Sequence, residues 1–217
     1  MSKLIDQNQQ SYFRTCLVDS GKLLDLSFSD EQLDKLVNYL VLLHKWNKTY
    51  NLTAVRDPEA MLYRHLVDSL SIVSYISGQL ILDVGTGPGL PGIPLAIMFP
   101  EKKFVLLDSN IKKTRFLTQS IIELGISNID VRHGRVEEQQ FEQPFDHIVS
   151  RAFAALDKMV SLSHMHLSKT GQFLAMKGLD PINEQEALGD RYEIKKTINL
   201  DVPGCEAQRH LIIIEAS

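Results

Sequence analysis

The residues best placed to do chemistry lie between 80 and 95, LILDVGTGPGLPGIPL. Leu80, Ile81 and Leu82 form a short apolar run ending in Asp83, and Gly85, Gly87, Gly89 and Gly92 follow within eight residues. An apolar run, a glycine-rich turn and then a helical pattern is how a parallel sheet's first strand feeds a ligand loop. Glycine serves there because a ligand must come close to the backbone and the turn needs φ angles that a Cβ obstructs. The loop therefore reads as a nucleotide-cofactor site. A dinucleotide loop needs G-x-G-x-x-G, and Leu90 stands where the last glycine belongs. The Gly-Lys-Ser/Thr of a phosphate-binding loop is absent. Asp108 closes the run Lys103–Leu107, KFVLL, twenty-three residues after Gly85. An acidic residue about 20 residues past the loop, at the tip of the next strand, is placed to accept from both hydroxyls of a ribose.

Asp83-Val84-Gly85-Thr86-Gly87-Pro88-Gly89 is D-x-G-x-G-x-G after a strand. It resembles motif I of class I S-adenosylmethionine-dependent methyltransferases, whose loop passes a neutral sugar and an amino-acid moiety rather than a pyrophosphate. Two later loops fit such a site. Gly134-Arg135-Val136-Glu137-Glu138 follows the third strand-like run, over the crevice of a doubly wound sheet. Val136 and Glu137 read as an adenine contact, with the carboxylate accepting the amino group, or as a solvated acidic turn. Ser150-Arg151-Ala152-Phe153-Ala154 follows the fourth run, where such enzymes keep the residues nearest the transferred methyl. The Asn/Asp-Pro-Pro-Tyr motif of exocyclic-amine methylators is absent, and neither Cys16 nor Cys205 lies near this loop to act as a nucleophile. What remains is an acceptor with its own lone pair, such as a purine N7. It needs alignment and exclusion of water rather than a general base, so the rate of the chemical step is expected to be nearly flat from about pH 6.5 to 9. Arg151 is then a positioning group, its planar guanidinium suited to the methionine carboxylate, a phosphate or the Hoogsteen oxygen of guanine.

Lys112, Lys113 and Arg115 open the helix after Asp108, against the helix dipole. That breach of a local rule beside a cofactor strand points to RNA phosphates, and a solvated face explains it as well. The seven histidines are scattered, and the cysteines have no metal-like spacing, so no metal is expected.

These residues must be held by a frame, and the pattern supplies one. From residue 79 onward strands and helices alternate, which means a parallel α/β sheet. The strands are expected at 80–84, 103–107, 128–132, 145–149, 170–176, 193–200 and 208–215, with helices at 92–99, 110–124, 152–168 and 182–190. The last two strands are joined only by a short loop around Pro203-Gly204, so they pair antiparallel. This is a Rossmann-like seven-stranded sheet with an antiparallel last strand. An N-terminal helical extension covers 1–77, ahead of a methyltransferase domain at 78–217. Within the extension a short helix is expected near Ser11–Val18. A capping box, Ser29-Asp30-Glu31-Gln32, opens an amphipathic helix at 30–46, and Asp57-Pro58 opens a helix running to about Ser77. Lys45–Thr53, between those two, is polar and aromatic together.

The 217 residues suffice for a real core, and 44% hydrophobic with 23% charged is ordinary for a globular chain. A net charge of −4 argues against a general polyanion binder but leaves room for a local basic patch. The polar start of the chain, the absence of an apolar run near membrane-span length and the two unpaired cysteines fit a cytoplasmic protein.

The stretches N51-L-T-A-V-R-D-P, R64-H-L-V-D-S-L, D83 through L95, L107-D-S, R135-V-E-E, S150-R-A-F-A and R209-H-L together resemble the glucose-inhibited division protein B family. Its members are bacterial small-subunit ribosomal RNA guanine-N7 methyltransferases. The resemblance implies methyl transfer from S-adenosylmethionine to N7 of a guanine in the decoding region of 16S rRNA. The partner is that RNA, alone or with ribosomal proteins. It further implies that Gly85 and Leu90, among the motif residues Asp83, Gly85, Thr86, Gly87, Gly89 and Leu90, line the methionine and ribose part of the cofactor. Val136 and Glu137 would hold the adenine side, and Arg151 would sit by the transfer centre. Two rivals stand beside this reading: a small-molecule methyltransferase, which the acidic balance suits, and a cofactor-sensing binding module without activity.

Overall fold

The computed structural model describes residues 5–151, 155–178, 184 and 186–217. Two capping boxes start its first helices. Asp6 and Gln9 cap α1 (Gln7–Leu23), and Ser29 and Gln32 cap α2 (Asp30–Tyr50). The Asp6 box lengthens α1 beyond the segment expected near Ser11–Val18. Helix α2 also passes the expected end at residue 46 and stops at Tyr50, where Asn51 takes a left-handed φ of 51°. The stretch Lys45–Tyr50 is therefore helical. Asp57 caps the next helix through the N–H of Ala60, with Pro58 in its first turn. That helix is not one regular piece. It runs through α3 (Pro58–Met61), a π-helical stretch Leu62–Val67 and α4 (Asp68–Leu70), and a 3-10 turn follows at Val73–Tyr75.

The sheet contains β1 (Leu80–Val84), β2 (Lys103–Asp108), β3 (Ile129–His133), β4 (Phe145–Arg151), β5 (Leu167–Lys177), β6 (Tyr192–Asn199) and β7 (His210–Ala216). Their order is β3-β2-β1-β4-β5-β7-β6, and β7 runs antiparallel to both β5 and β6. Helices α5 (Gly92–Met98), α6 (Ile111–Glu123) and α7 (Leu156–Ser163) join the parallel strands. Of the helix expected at 182–190, the described residues show only a 3-10 turn at Glu186–Leu188, which gives way to Gly189 at φ +68°.

Each strand sends alternate side chains to opposite faces, and two hydrophobic clusters result. Phe104 and Leu106 enter one, together with Leu17 of α1, Leu36 and Leu40 of α2 and Phe116 of α6. Val105 and Leu107 enter the other, with Leu82, Ile148, Leu156 and Phe173. The N-terminal helices thus share a core with one face of the sheet. The strand order reverses between β1 and β4, and the crevice at their carboxyl ends is where such a sheet takes a ligand.

Candidate active site

The loop after β1 needs unusual backbone angles, with φ of +67° at Gly85, +62° at Gly87 and +101° at Gly89. It is fastened from three directions. The N–H groups of Gly85 and Thr86 donate to Leu107 O of β2, at 2.9 and 3.1 Å. Tyr39 of α2 donates its hydroxyl to Pro88 O at 2.7 Å. Fully buried Asp83 accepts from Thr86 Oγ1 at 2.6 Å and from Gly92 N at 2.8 Å, both on Oδ2. Gly92 must be glycine, because a Cβ would stand 2.2 Å from Leu106 and 2.7 Å from that same oxygen. Burial pushes the Asp83 carboxyl up to about 7 against the pull of these two donors, and its Oδ1 has no hydrogen-bond partner among the described residues.

Asp108 stands beside the loop at the tip of β2. Its Oδ2 accepts from Gly87 N and its Oδ1 from Asn110 N, each at 2.8 Å, and Lys113 Nζ lies 3.5 Å away. The carboxylate therefore shapes the loop even without a ligand. It also lines a cavity of about 320 Å³ together with Gly85, Lys113, Val136, Glu137 and Leu162. Four residues expected at the cofactor, Gly85, Asp108, Val136 and Glu137, thus come together from the ends of β1, β2 and β3.

The other motif residues stand elsewhere. Asp83 and Thr86 are buried beneath the loop, bonded to one another. Leu90, expected at the cofactor, is 2% exposed and packs against the core facing the N-terminal helices. The chain has already turned inward there, with Leu90 N donating to Thr86 O. The basic turn also divides. Lys112 is exposed and Arg115 faces a different hollow, whereas Lys113 points to Asp108 and the cavity wall. Lys113 is one residue from Lys112, about 100° around the helix, so the three side chains cannot share one phosphate-binding face.

Arg151 lies across the switch point, two residues past Val149, which pairs with Asp83 in register. It lines a second cavity of about 350 Å³ with Arg64, His65, Asp68, Lys177 and Arg209. Its NH1 donates to Asp68 Oδ2 and to Arg64 O, both at 3.0 Å. Arg209 Nε donates to the other oxygen of Asp68 at 2.8 Å. One buried carboxylate therefore holds two guanidiniums, each with its side chain about a fifth exposed at 18% and 19%. His65 accepts or donates at Thr53 Oγ1, 2.9 Å away, and burial together with Arg151 lowers its pKa to about 4. Phe153 and Ala152 lie outside the described residues.

Sequence reasoning did not single out Asp68, Lys177 or Arg209 for this side of the site. The available signal was Asp68 itself, a carboxylate within a helix whose neighbours Leu66, Val67, Ser69 and Leu70 are all buried. A carboxylate in such a setting needs a cation.

The family model described as rRNA small subunit methyltransferase G matches residues 32–212. The chain belongs to this family. A relative of that name from Marinobacter nauticus is 52% identical over 198 residues, which is 91% of this chain and 92% of the relative. One from Ectopseudomonas mendocina is 51% identical, covering 93% of this chain and 95% of the relative. One from Escherichia coli K12 is 48% identical, covering 93% and 95%. Among solved structures, a ribosomal protein L11 methylase from Lactobacillus delbrueckii aligns with a TM-score of 0.56 at 17% identity, covering 74% of this chain and 80% of that one. The Bacillus subtilis tRNA methyltransferase TrmK aligns with a TM-score of 0.57 at 15% identity, covering 69% and 65%. At such identities these two speak for the Rossmann-like fold alone. As a member of the rRNA small subunit methyltransferase G family, the chain is a methyltransferase whose methyl donor is S-adenosylmethionine. No helix of the structure is long and apolar enough to cross a membrane. Among the described residues no group of three His, Cys, Asp or Glu side chains is arranged to hold a metal ion.

Proposed function

We propose that this enzyme transfers a methyl group from S-adenosylmethionine to N7 of a guanine in small-subunit ribosomal RNA. Its family name supports the RNA target. The observation that carries the reading is the pair of cavities flanking the β1/β4 switch point, one with Asp108 and Glu137 in its wall and one lined by Arg64, Arg151, Lys177 and Arg209. A nucleoside suits the first and an anionic polymer the second.

The residues of the first cavity fit the cofactor. Gly85, with a φ of +67°, leaves that part of the wall without a side chain. Each Asp108 oxygen has one backbone donor and a lone pair to spare for a ribose hydroxyl. Glu137 keeps a carboxylate that is 36% exposed for the adenine amino group, and Val136 offers an apolar wall. When bound, the cofactor supplies a methyl on a positively charged sulfonium. The protein then has to bring a guanine edge in line and keep water out. Arg151 is the orienting residue. Its guanidinium is fixed by Asp68 and Arg64 O, which leaves the rest of its fork for guanine O6 or a phosphate. A free N7 lone pair needs no base. His65, neutral because of its low pKa, adds no charge that would repel the sulfonium. The helical layer 1–77 carries Arg64, His65 and Asp68 and so forms the floor of the RNA side, with the domain at 78–217 supplying the cofactor side. The reaction belongs in the cytoplasm, on RNA bound by ribosomal proteins, because a chain of net charge −4 gains little from bulk attraction to naked RNA.

The test is to incubate the enzyme with methyl-labelled cofactor and, separately, total RNA and small ribosomal subunits from cells lacking the modification. The label should appear in one guanine of the small-subunit RNA, in a position that blocks N7. Label confined to transfer RNA or to small molecules would refute the assignment.

A further inference from the structure

Two sequence features that the methyl-transfer site does not use meet in the fold. One is the aromatic-basic stretch at the end of α2, and the other is the basic start of α6. Trp46, Ile111, Thr114, Arg115, Thr118, Gln119, Val131 and His133 line a hollow of about 420 Å³ on the edge of the sheet where β3 lies. The Trp46 ring rests edge-on against Phe116 at 5.6 Å on its inner side and carries Tyr50 at 5.0 Å, tilted by 32°. Tyr50 is 43% exposed and Ile111 47% exposed, so large apolar surface faces water around the hollow. Its lining contains no carboxylate.

Basic side chains accompany it: Arg115 lines the hollow, Lys112 lies one turn before Arg115 on α6, and Lys45 precedes Trp46 on α2. Lys22, Lys35, Lys113 and Lys195 each face an Asp or Glu side chain. The side chains of Lys45, Lys112 and Arg115 have no ion-pair or hydrogen-bonded partner among the described residues, and all three residues are exposed. On a chain of net charge −4, Arg115 in the wall and Lys112 one turn away, beside an exposed aromatic surface, match a polyanion that also presents flat rings. A protein partner of acidic character would satisfy the cations but would leave the aromatic floor without a use.

We propose that this hollow is a second RNA contact, taking one unpaired base against Trp46 and Tyr50 with its flanking phosphates on Lys112 and Arg115. This rests on the reading of the enzyme as an RNA methyltransferase. It places the second contact on the β3 edge of the sheet, away from the Arg151 side. His133 pairs in register with Asp108, so the hollow adjoins the cofactor cavity without sharing its lining.

Trp46 is the only tryptophan in the chain, so its emission reports directly on this surface. The experiment titrates the full-length protein with a short single-stranded RNA of mixed sequence, reading Trp46 emission and, in parallel, the anisotropy of an end-labelled copy of that RNA. Binding should quench Trp46. In K112Q/R115Q, binding should weaken and its dependence on the logarithm of salt should flatten by about 1.4, two single-strand phosphates' worth. Tyr50→Ala should weaken binding by about fivefold or more. Calorimetric affinity for S-adenosylhomocysteine should be unchanged in both variants. A rise in anisotropy with no quench of Trp46, or an unaltered salt slope in K112Q/R115Q, overturns the second contact and leaves the catalytic reading standing. No rise in anisotropy with the RNA overturns the second contact alone, whereas small subunits that acquire no methyl label overturn the catalytic reading.

Discussion

Asp68→Asn isolates what the buried carboxylate does for the RNA side of the site. It preserves shape and removes one charge. Asp68 is 3% exposed at its side chain and takes Arg151 on one oxygen and Arg209 on the other, at 3.0 and 2.8 Å. Asparagine keeps one acceptor, so one of the two bonds survives without its charge and the other is replaced by a donor facing a donor. Bonds of this charged kind contribute about 1.5–3 kcal/mol each. Removing one partner of a buried ion pair costs about 3–5 kcal/mol. Both guanidiniums are about one-fifth exposed and can turn part-way to water, which places the expected loss near the lower end, about 3 kcal/mol. The assay is equilibrium urea unfolding near neutral pH, with single-turnover methylation and calorimetric S-adenosylhomocysteine binding on the same preparations. Cofactor affinity should hold, because Asp68 does not line that cavity. Methyl transfer should fall by about 100-fold, since Arg151 loses its anchor. A loss of stability under about 1 kcal/mol together with normal turnover would mean that the pair is no better than an exposed one, and the orienting role of Arg151 would go with it.

Arg151→Lys should be similarly impaired in turnover, because an ammonium cannot reach Asp68 and Arg64 O while presenting a planar fork; near-normal activity removes Arg151 from the site. Asp108→Ala should lower S-adenosylhomocysteine affinity by about 2–3 kcal/mol and also destabilise the free enzyme, because Gly87 N and Asn110 N lose their acceptor; an affinity loss without a stability loss would contradict the two backbone bonds. His65 and Asp83 should bend the pH dependence of stability in opposite directions. His65 is depressed from 6.5 to about 4, so stability is lost as pH falls through that window, and His65→Gln should remove the loss. Asp83 is raised from 3.8 to about 7, so stability is lost as pH rises through that window, and Asp83→Asn should make the fold more stable at pH 8 relative to pH 4 than the parent; urea unfolding across pH reads both, and an unchanged profile in either variant refutes that residue's shift. The chemical step should stay nearly flat from about pH 6.5 to 9, since an N7 lone pair needs no base; a single-turnover rate that rises tenfold per pH unit would refute this.

The grammar of strand, glycine loop and helix is local, and the sequence by itself determined it. Leu80–Val84 alternates no polar residue before Asp83 because a central parallel strand is buried on both faces, and that run is β1 to the residue. The separation of Gly85 from Asp108 follows from the length of one helix and one strand, so both reached the same cavity wall. The tertiary structure decided which motif residues reach the cavity wall. Asp83 and Leu90 belong to the motif as much as Gly85, yet one locks the loop from beneath and the other fills the core. Nothing in a one-dimensional pattern distinguishes those fates, because burial depends on β2 and α2 packing over the loop. Helix rotation likewise separated Lys113 from Lys112. The partners of Arg151 were out of reach for a simpler reason. Asp68 is 83 residues upstream in an irregular helix, and Arg209 is 141 residues beyond Asp68 in the final strand's approach. A charge network between such segments exists only once the sheet has closed and the N-terminal helices have docked on it.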